Sequence, residues 1–326
     1  MTSVLQGGRR RRRPSVRLIR LLVLLAPVAV AIAVLAGFNH AGSAGRPPTT
    51  PAQAQQAPGG TPSPGTAAPD PAQAALAGVD AFRLPFTVPP GAGIVFDVES
   101  GEVLWRRNPV QRVPIASLTK VMTALLVVEN TRPRDMVRIT KDALNYQGSG
   151  VGLLPKGRHV TAEALLHGLL LPSGNDAAIA LADHIAGTRA AFVARMNAKA
   201  QMLGLHCSHF ASPSGINDRD QSCVADLAAL TRIVMSKPRI ARIVGKAHAA
   251  VRFPIKGGKL FLNNTNPLLR MGYPGTLGLK TGDTEKAGRC LIAVVRRGGR
   301  TLAAIVLHSP DPQLQVRRLF AKAFRA

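Results

Sequence analysis

Pro114-Ile115-Ala116-Ser117-Leu118-Thr119-Lys120 leads directly into Val121-Met122-Thr123-Ala124-Leu125-Leu126-Val127-Val128. The second half carries almost no polar side chain, which predicts a helix buried on most of its circumference. Ser117 falls where a serine N-cap is favoured. Lys120 follows three residues on, so both side chains lie on one helical face. An unpaired buried ammonium is costly, so a lysine beside a serine at the start of a buried helix invites a chemical explanation. The spacing alone does not supply one, because a serine cap followed by an ordinary surface lysine reads the same way.

Outward from that stretch the chain divides by composition. Residues 1–20 hold Arg9 to Arg13, Arg17 and Arg20 and no acid. Leu21 to Phe38 is an uncharged run of 18 residues, just long enough to span a bilayer. The small residues Ala41-Gly42-Ser43-Ala44 after it leave a cleaved signal peptide open beside an uncleaved anchor. Either reading keeps the arginines in the cytoplasm and sends the remainder outside. Residues 39–81 are rich in Pro, Ala, Gln, Gly and Thr and read as a disordered tether. A folded part is expected over 82–326.

In that part, Gly93–Val98 and Glu102–Arg106 flank Glu99-Ser100-Gly101 and predict a β-hairpin. Met136–Ile139 is a short strand candidate. Helical character runs through Thr161–Leu171, Asp176–Ile185, Arg189–Met202, Cys223–Ser236 and Arg239–Val244. Three strands follow at Thr276–Gly282, Gly288–Arg296 and Thr301–His308, and Asp311–Arg325 reads as an amphipathic helix. Strands at both ends with helices between them predict an α+β fold, one sheet built from the two extremes of the chain plus a helical insertion.

The 326 residues carry a net charge of +25, of which +19 falls on residues 82–326. A domain that basic seeks polyanions. Aromatic content is only 4% and no nucleic-acid motif is present, so base stacking has little to work with. With the remainder sent outside the cytoplasm, anionic cell-envelope polymers are the expected partners, not nucleic acid.

Two further segments change the reading of Ser117 and Lys120. Ser173-Gly174-Asn175 sits in a break between two helical runs, and Lys280-Thr281-Gly282 ends the first late strand. Serine-x-x-lysine, a serine-x-asparagine-type loop and lysine-threonine-glycine, in that order on helix, loop and strand, form the motif set of penicillin-binding proteins and class A β-lactamases. The chain from about Ala81 to Ala326 resembles the serine D-alanyl-D-alanine carboxypeptidases, the low-molecular-mass penicillin-binding proteins. Phe210-Ala211-Ser212-Pro213-Ser214-Gly215 is similar to that family's loop after the helical part.

The resemblance implies a β-lactamase/transpeptidase-like αβα sandwich, an antiparallel sheet flanked by helices with an inserted helical subdomain. It implies a peptidoglycan stem peptide ending in D-Ala-D-Ala as substrate, β-lactams as inhibitors and no cofactor. Ser117 would be the acylated nucleophile, with Lys120 as its base if neutral. Burial and the neighbouring cation Lys280 both favour neutrality. Ser173 would relay the proton and Asn175 would hold Lys120 and the substrate amide. Lys280 and Thr281 would bind the terminal carboxylate, and Gly282 would allow close approach of the substrate backbone. The backbone N–H groups of Ser117 and Asp283 would form the oxyanion hole. The Asp283 carboxylate is expected to point out of the cleft, where it cannot repel an anionic substrate. The region after the last strand reads Ser309-Pro310-Asp311 where the family tends to place an arginine.

The remaining candidates are structural. Three cysteines allow three pairings; outside the cytoplasm a Cys207–Cys223 bridge is expected, leaving Cys290 as a buried thiol. His206 and His209 around Cys207 lack the further ligands of a metal site, so no metal is expected. Competing functions are a β-lactamase, a transpeptidase or endopeptidase of the same superfamily, and a catalytically silent wall-binding module. Class A β-lactamases deacylate with a glutamate downstream of the middle motif. No glutamate occurs between Asn175 and Lys280.

Overall fold

The computed structural model describes residues 79–326. The basic segment 1–20, the apolar run 21–38 and all but the last residues of the 39–81 tether lie outside the described residues. Among the described residues no single helix is long and apolar enough to cross a membrane.

In chain order the elements are β1 (Ala92–Asp97), β2 (Val103–Arg107), β3 (Val113–Pro114), α1 (Lys120–Asn130), β4 (Met136–Arg138), α2 (Lys141–Leu144), β5 (His159–Thr161), α3 (Ala162–Leu170), α4 (Asn175–Ala186) and α5 (Arg189–Met202). They continue with β6 (Gln221–Ser222), α6 (Val224–Met235), α7 (Pro238–Val244), β7 (His248–Arg252), β8 (Lys259–Asn263), α8 (Pro267–Arg270), β9 (Thr276–Thr284), β10 (Gly288–Arg297), β11 (Arg300–Ser309) and α9 (Pro312–Ala323).

One antiparallel sheet with strand order β2-β1-β11-β10-β9 organises the described residues. Its centre joins the first and last strands in register, from Ala92 opposite Leu307 to Asp97 opposite Leu302. Cβ atoms alternate across a strand, and here both faces are buried. Ile94, Phe96, Ile292, Val294, Ala303 and Ile305 face the helical layer. Val95, Leu291, Ala293, Val295, Leu302 and Ala304 face Val316, Leu319 and Phe320 of α9. Double burial explains why β10 and β11 read as continuous apolar runs with no alternation. Each such aliphatic or aromatic side chain stabilises by about 1.5–3 kcal/mol when taken from water. Helices on both faces make this an αβα sandwich with an antiparallel sheet, as expected.

α1 is the central helix of the insertion layer. Lys120 through Val127 are all buried, so its apolar circumference is satisfied by α3, α4, α5, α6 and α7 around it. Thr161 caps α3 by accepting from the Ala164 N–H at 3.3 Å. Cys207 and Cys223 form a disulfide, and Cys290 is a buried free thiol.

Two expectations need correcting. Ser117 does not cap a helix. It lies in a 3₁₀ turn, Ala116–Thr119, that runs straight into α1, with no side-chain cap at either start. The β7–β8 hairpin, with His248 opposite Asn263 and Arg252 opposite Lys259, fills a segment in which the sequence suggested no element. Ala249, Val251, Leu260 and Leu262 face inward, but Ala250 and a 75%-exposed Phe261 face out. Apolar residues on the wet face erase the alternation that marks a strand.

Candidate active site

β3 delivers the chain to Ile115 and Ala116, the latter at a left-handed φ of 48°. Two glycines close on the resulting turn. A Cβ on Gly215, itself at φ 80°, would overlap the Ala116 carbonyl and lie 2.9 Å from the Ser117 nitrogen. On the other side, a Cβ on Gly282 would lie 2.9 Å from the Ile115 oxygen and 3.2 Å from the Ser117 nitrogen. Gly282 therefore admits the Ser117 backbone to β9, a packing reason beyond any approach by substrate.

Ser117 is half-buried and its Oγ lies 2.8 Å from Lys120 Nζ. Lys120 is fully buried. Its Nζ also donates to Asn175 Oδ1 at 2.6 Å and to the Ser214 carbonyl at 2.6 Å. The Asn175 amide is oriented by its Nδ2, which donates to the Gln147 carbonyl at 2.5 Å. Asn175 Oδ1 and the Ser214 carbonyl can only accept hydrogen bonds. A neutral amine has two hydrogens for these two acceptors and turns its lone pair toward the Ser117 hydroxyl.

Electrostatics favour that neutral form. Burial is the largest cause holding Lys120 well below the usual lysine range, and the nearby Lys280 cation pushes the same way. Asp220 and Asp176 oppose the shift. Lys280 is itself brought down to about 7 by burial. Its Nζ donates to the Thr281 carbonyl at 2.8 Å.

The Ser173 loop meets β9 through Thr265. The Thr265 N–H donates to the Leu171 carbonyl at 3.1 Å, and its hydroxyl lies 2.6 Å from the Thr281 hydroxyl. Ser173 is buried at a left-handed φ of 65°, and its Oγ has no hydrogen-bond partner. An unpartnered buried hydroxyl costs about 1–3 kcal/mol, and such strain concentrates at functional positions. β9 is the sheet's edge, so its outer backbone groups face the Ser117 turn. Asp283 is exposed and stands opposite Arg289 in the ladder.

Two buried carboxylates shape the loops around these groups. Asp220 accepts from the N–H groups of Ala211, Ser212 and Asn217 and from the Ser212 hydroxyl. Ser212 Oγ in turn accepts from the Gly215 N–H at 2.8 Å, which fixes the segment carrying Ser214. Asp176 accepts from the N–H groups of Val151, Gly152 and Ala177 and holds the loop that presents Gln147. Gln147, Asp176, Asp220 and Thr265 were not singled out from sequence, and Ser214 was quoted only within the segment Phe210–Gly215, with no role of its own. A backbone carbonyl has no sequence signal. The one available clue was an aspartate placed directly before the apolar run Ala177-Ala178-Ile179.

Cys207, Cys223 and Asp226 cluster closely, but the two sulfurs are bonded to each other and are not thiolate ligands. Asp226 instead accepts from the Cys207 N–H and the Ser208 hydroxyl.

The geometry thus gathers Ser117, Lys120, Asn175 and Gly282 around one turn, with Lys280 near enough to act on Lys120 and Thr281 joined through Thr265 to Leu171, two residues before Ser173. Comparison with known proteins shows the family. Residues 82–311 match the D-alanyl-D-alanine carboxypeptidase family of peptidases. The chain is 33% identical over 242 residues to D-alanyl-D-alanine carboxypeptidase DacF of Bacillus subtilis, covering 72% of this chain and 61% of that protein. It is 37% identical over 218 residues to DacB2 of Mycobacterium tuberculosis, covering 66% and 73% respectively. Among solved structures, the DD-transpeptidase of Streptomyces K15 superposes with a TM-score of 0.70 at 31% identity, over 75% of this chain and all of that one. A D-alanyl-D-alanine carboxypeptidase from Mycobacterium tuberculosis H37Rv gives 0.70 at 33% identity, over 76% and 97%.

Proposed function

The chain belongs to the D-alanyl-D-alanine carboxypeptidase family, and from that premise we propose that it removes the terminal D-alanine from peptidoglycan stem peptides through an acyl-enzyme on Ser117. The observation that carries this reading is the Lys120 amine, buried, depressed in pKa and 2.8 Å from the Ser117 hydroxyl. Ser117 Oγ attacks the carbonyl between the two D-alanines as its proton passes to Lys120. The oxyanion is held by the Ser117 and Asp283 N–H groups. Ser173 lies on the path by which the proton reaches the departing amine, which explains why a hydroxyl is kept there without a resting partner. Collapse of the tetrahedral intermediate breaks the C–N bond and frees D-alanine. Water then attacks the ester and restores Ser117. Lys280 and Thr281 hold the terminal carboxylate, and the free edge of β9 pairs with the substrate backbone.

β-Lactams fit the same site as acylating agents. With no glutamate between Asn175 and Lys280, the penicilloyl ester lacks the base that class A β-lactamases use, so it persists. A second reading is favoured by the Streptomyces K15 likeness: an amine could replace water in the second step, giving transpeptidation.

The whole chain is read as an extracytoplasmic enzyme held near the membrane by residues 21–38 and spaced from it by the 39–81 tether. Residues 227–282 contain ten Lys or Arg and no acid, which supports contact with anionic envelope polymers.

The test is D-alanine release from a peptide ending in D-Ala-D-Ala, with labelled penicillin in parallel. Ser117→Ala abolishes both release and labelling. Rapid turnover of penicillin without a stable adduct would refute the carboxypeptidase reading in favour of a β-lactamase.

A further inference from the structure

In Asn264-Thr265-Asn266 the two asparagines are buried and the threonine between them is exposed. Asn264 Nδ2 donates to the Val244 and Lys246 carbonyls at 3.0 and 2.9 Å, and its Oδ1 accepts from the Asn266 N–H at 2.8 Å. Asn266 Oδ1 accepts from the Leu268 N–H at 3.0 Å and caps α8. The N–H of Thr265 itself is spent on the Leu171 carbonyl at 3.1 Å. The Thr265 backbone is therefore tied on both sides and to the loop that carries Ser173. A β-branched side chain has few χ1 states, so this backbone fixes where the hydroxyl lies, 2.6 Å from Thr281 Oγ1.

The folding of the segment does not need that hydroxyl. Its contact with Thr281 is exposed, and water solvates both groups when they part, so the bond adds little to stability. Its consequence is direction. Each hydroxyl has a single proton to donate and lone pairs that accept. In the free protein either threonine can be the donor. A carboxylate only accepts. Thr281 can therefore hold the terminal carboxylate of a substrate only by donating to it, and the other bond must then run from the Thr265 O–H to Thr281 Oγ1. Bonds that run head to tail polarise and strengthen one another. Lys280 does not supply this orientation, because its Nζ donates to the Thr281 carbonyl and not to the hydroxyl.

We infer that Thr265 is a positioning residue: its hydroxyl donates to Thr281 Oγ1 and holds the Thr281 proton toward the carboxylate that ends the substrate, while its backbone ties that grip to the Ser173 loop.

This inference rests on the carboxypeptidase reading through the role of Thr281, so the experiment separates the two. Acylation of the full chain is timed with benzylpenicillin and with its methyl ester, which keeps the ring and lacks the carboxylate. The ratio of the two rates isolates the carboxylate grip. Thr265→Val keeps the branched shape and removes the donor, and the acid-to-ester ratio falls roughly three- to tenfold, the size of one lost hydrogen bond. Thr265→Ser restores it. Thr281→Val lowers the ratio as well, and adding Thr265→Val to that variant lowers it no further. A merely structural role slows both reagents together and leaves the ratio where it was. An unchanged ratio in Thr265→Val, or losses that add in the double variant, overturns the inference. D-alanine release by the unmodified chain from a peptide ending in D-Ala-D-Ala is measured separately. No release there, with a ratio that still depends on Thr265, would sink the carboxypeptidase reading and leave the positioning role standing; release with an unchanged ratio sinks the positioning role alone.

Discussion

Gly215 lies against Ala116 so tightly that no side-chain atom fits between them, and the Ser117 nitrogen is part of the same contact. The nucleophile's position is thus set from outside its own helix, by a loop that Asp220 and Ser212 hold rigid. Gly215→Ala combines a left-handed φ with backbone overlap, and is expected to cost about 2–4 kcal/mol in folding free energy. Because the turn must shift to relieve the overlap, penicillin acylation should slow by roughly a hundredfold or more. Denaturant titration and acylation kinetics read the two effects. Wild-type acylation in the variant would show that the contact does not position Ser117.

The two lysines titrate in opposite senses for catalysis. Lys120 must be neutral, so activity falls at low pH as it gains a proton. Lys280 must be charged to hold a carboxylate, and burial brings it to about 7 in the free protein. kcat/KM for a peptide ending in D-Ala-D-Ala should therefore fall as pH rises through about 7. Lys280→Arg, which keeps its charge throughout, should remove that alkaline limb even if it lowers the maximum. Stability runs the other way. Between about 7 and the unfolded lysine value near 10.4, the unfolded chain binds more protons, so stability should rise across that window. Paired pH profiles of rate and of melting temperature check both signs.

The sheet and its flanking helices were legible because β1, β10, β11 and α1 are strongly apolar, and periodicity or its loss marks double burial. The three motif segments were legible because each brings a distinctive residue type. The supporting groups were not. Ser214 acts through a carbonyl, Gln147 through another, and Thr265 through a hydroxyl that touches Thr281, 16 positions on, only after the residues between are folded into α8, its turn and the start of β9. Ser117 looked like a cap because caps and nucleophiles both favour a serine at a helix start; the difference lies in whether the hydroxyl meets backbone N–H groups or an amine. The departure at Ser309-Pro310-Asp311 also remains a property of sequence, since Ser309 Oγ is spent on Gln315 Oε1 at 2.7 Å and is buried.

The Cys207–Cys223 bridge closes a loop with a sequence separation of 16 that contains Phe210 through Asp220. Reduction should cost about 3 kcal/mol through the unfolded chain's regained freedom. Neither cysteine is a hydrogen-bond partner of Lys120, and Asp220 holds the loop independently. Reduced protein should therefore melt earlier yet acylate with penicillin at an unchanged rate below its melting range. A thiol titration with and without reductant, followed by calorimetry, checks the first part. A slowed acylation at equal folded fraction would show that the bridge positions Ser214.

Removing each lysine should have opposite effects on stability. Lys280 is buried with its one hydrogen bond to the Thr281 carbonyl, and Thr281 is only half-buried, so water can take over that acceptor. Lys280→Met removes a desolvated amine at little loss and should raise the melting temperature by about 2–4 °C while weakening peptide turnover. Lys120→Met instead orphans Asn175 Oδ1 and leaves the Ser214 carbonyl only the long 3.5 Å contact from the Ser117 hydroxyl, both inside the protein. Each buried acceptor left without a donor costs about 1–3 kcal/mol, so this variant should melt earlier as well as lose acylation. Calorimetry on the two variants distinguishes the cases. Stabilisation by Lys120→Met would mean that its three contacts do not hold the surrounding loops, and that the neutral amine at Ser117 is not built into the fold as the geometry implies.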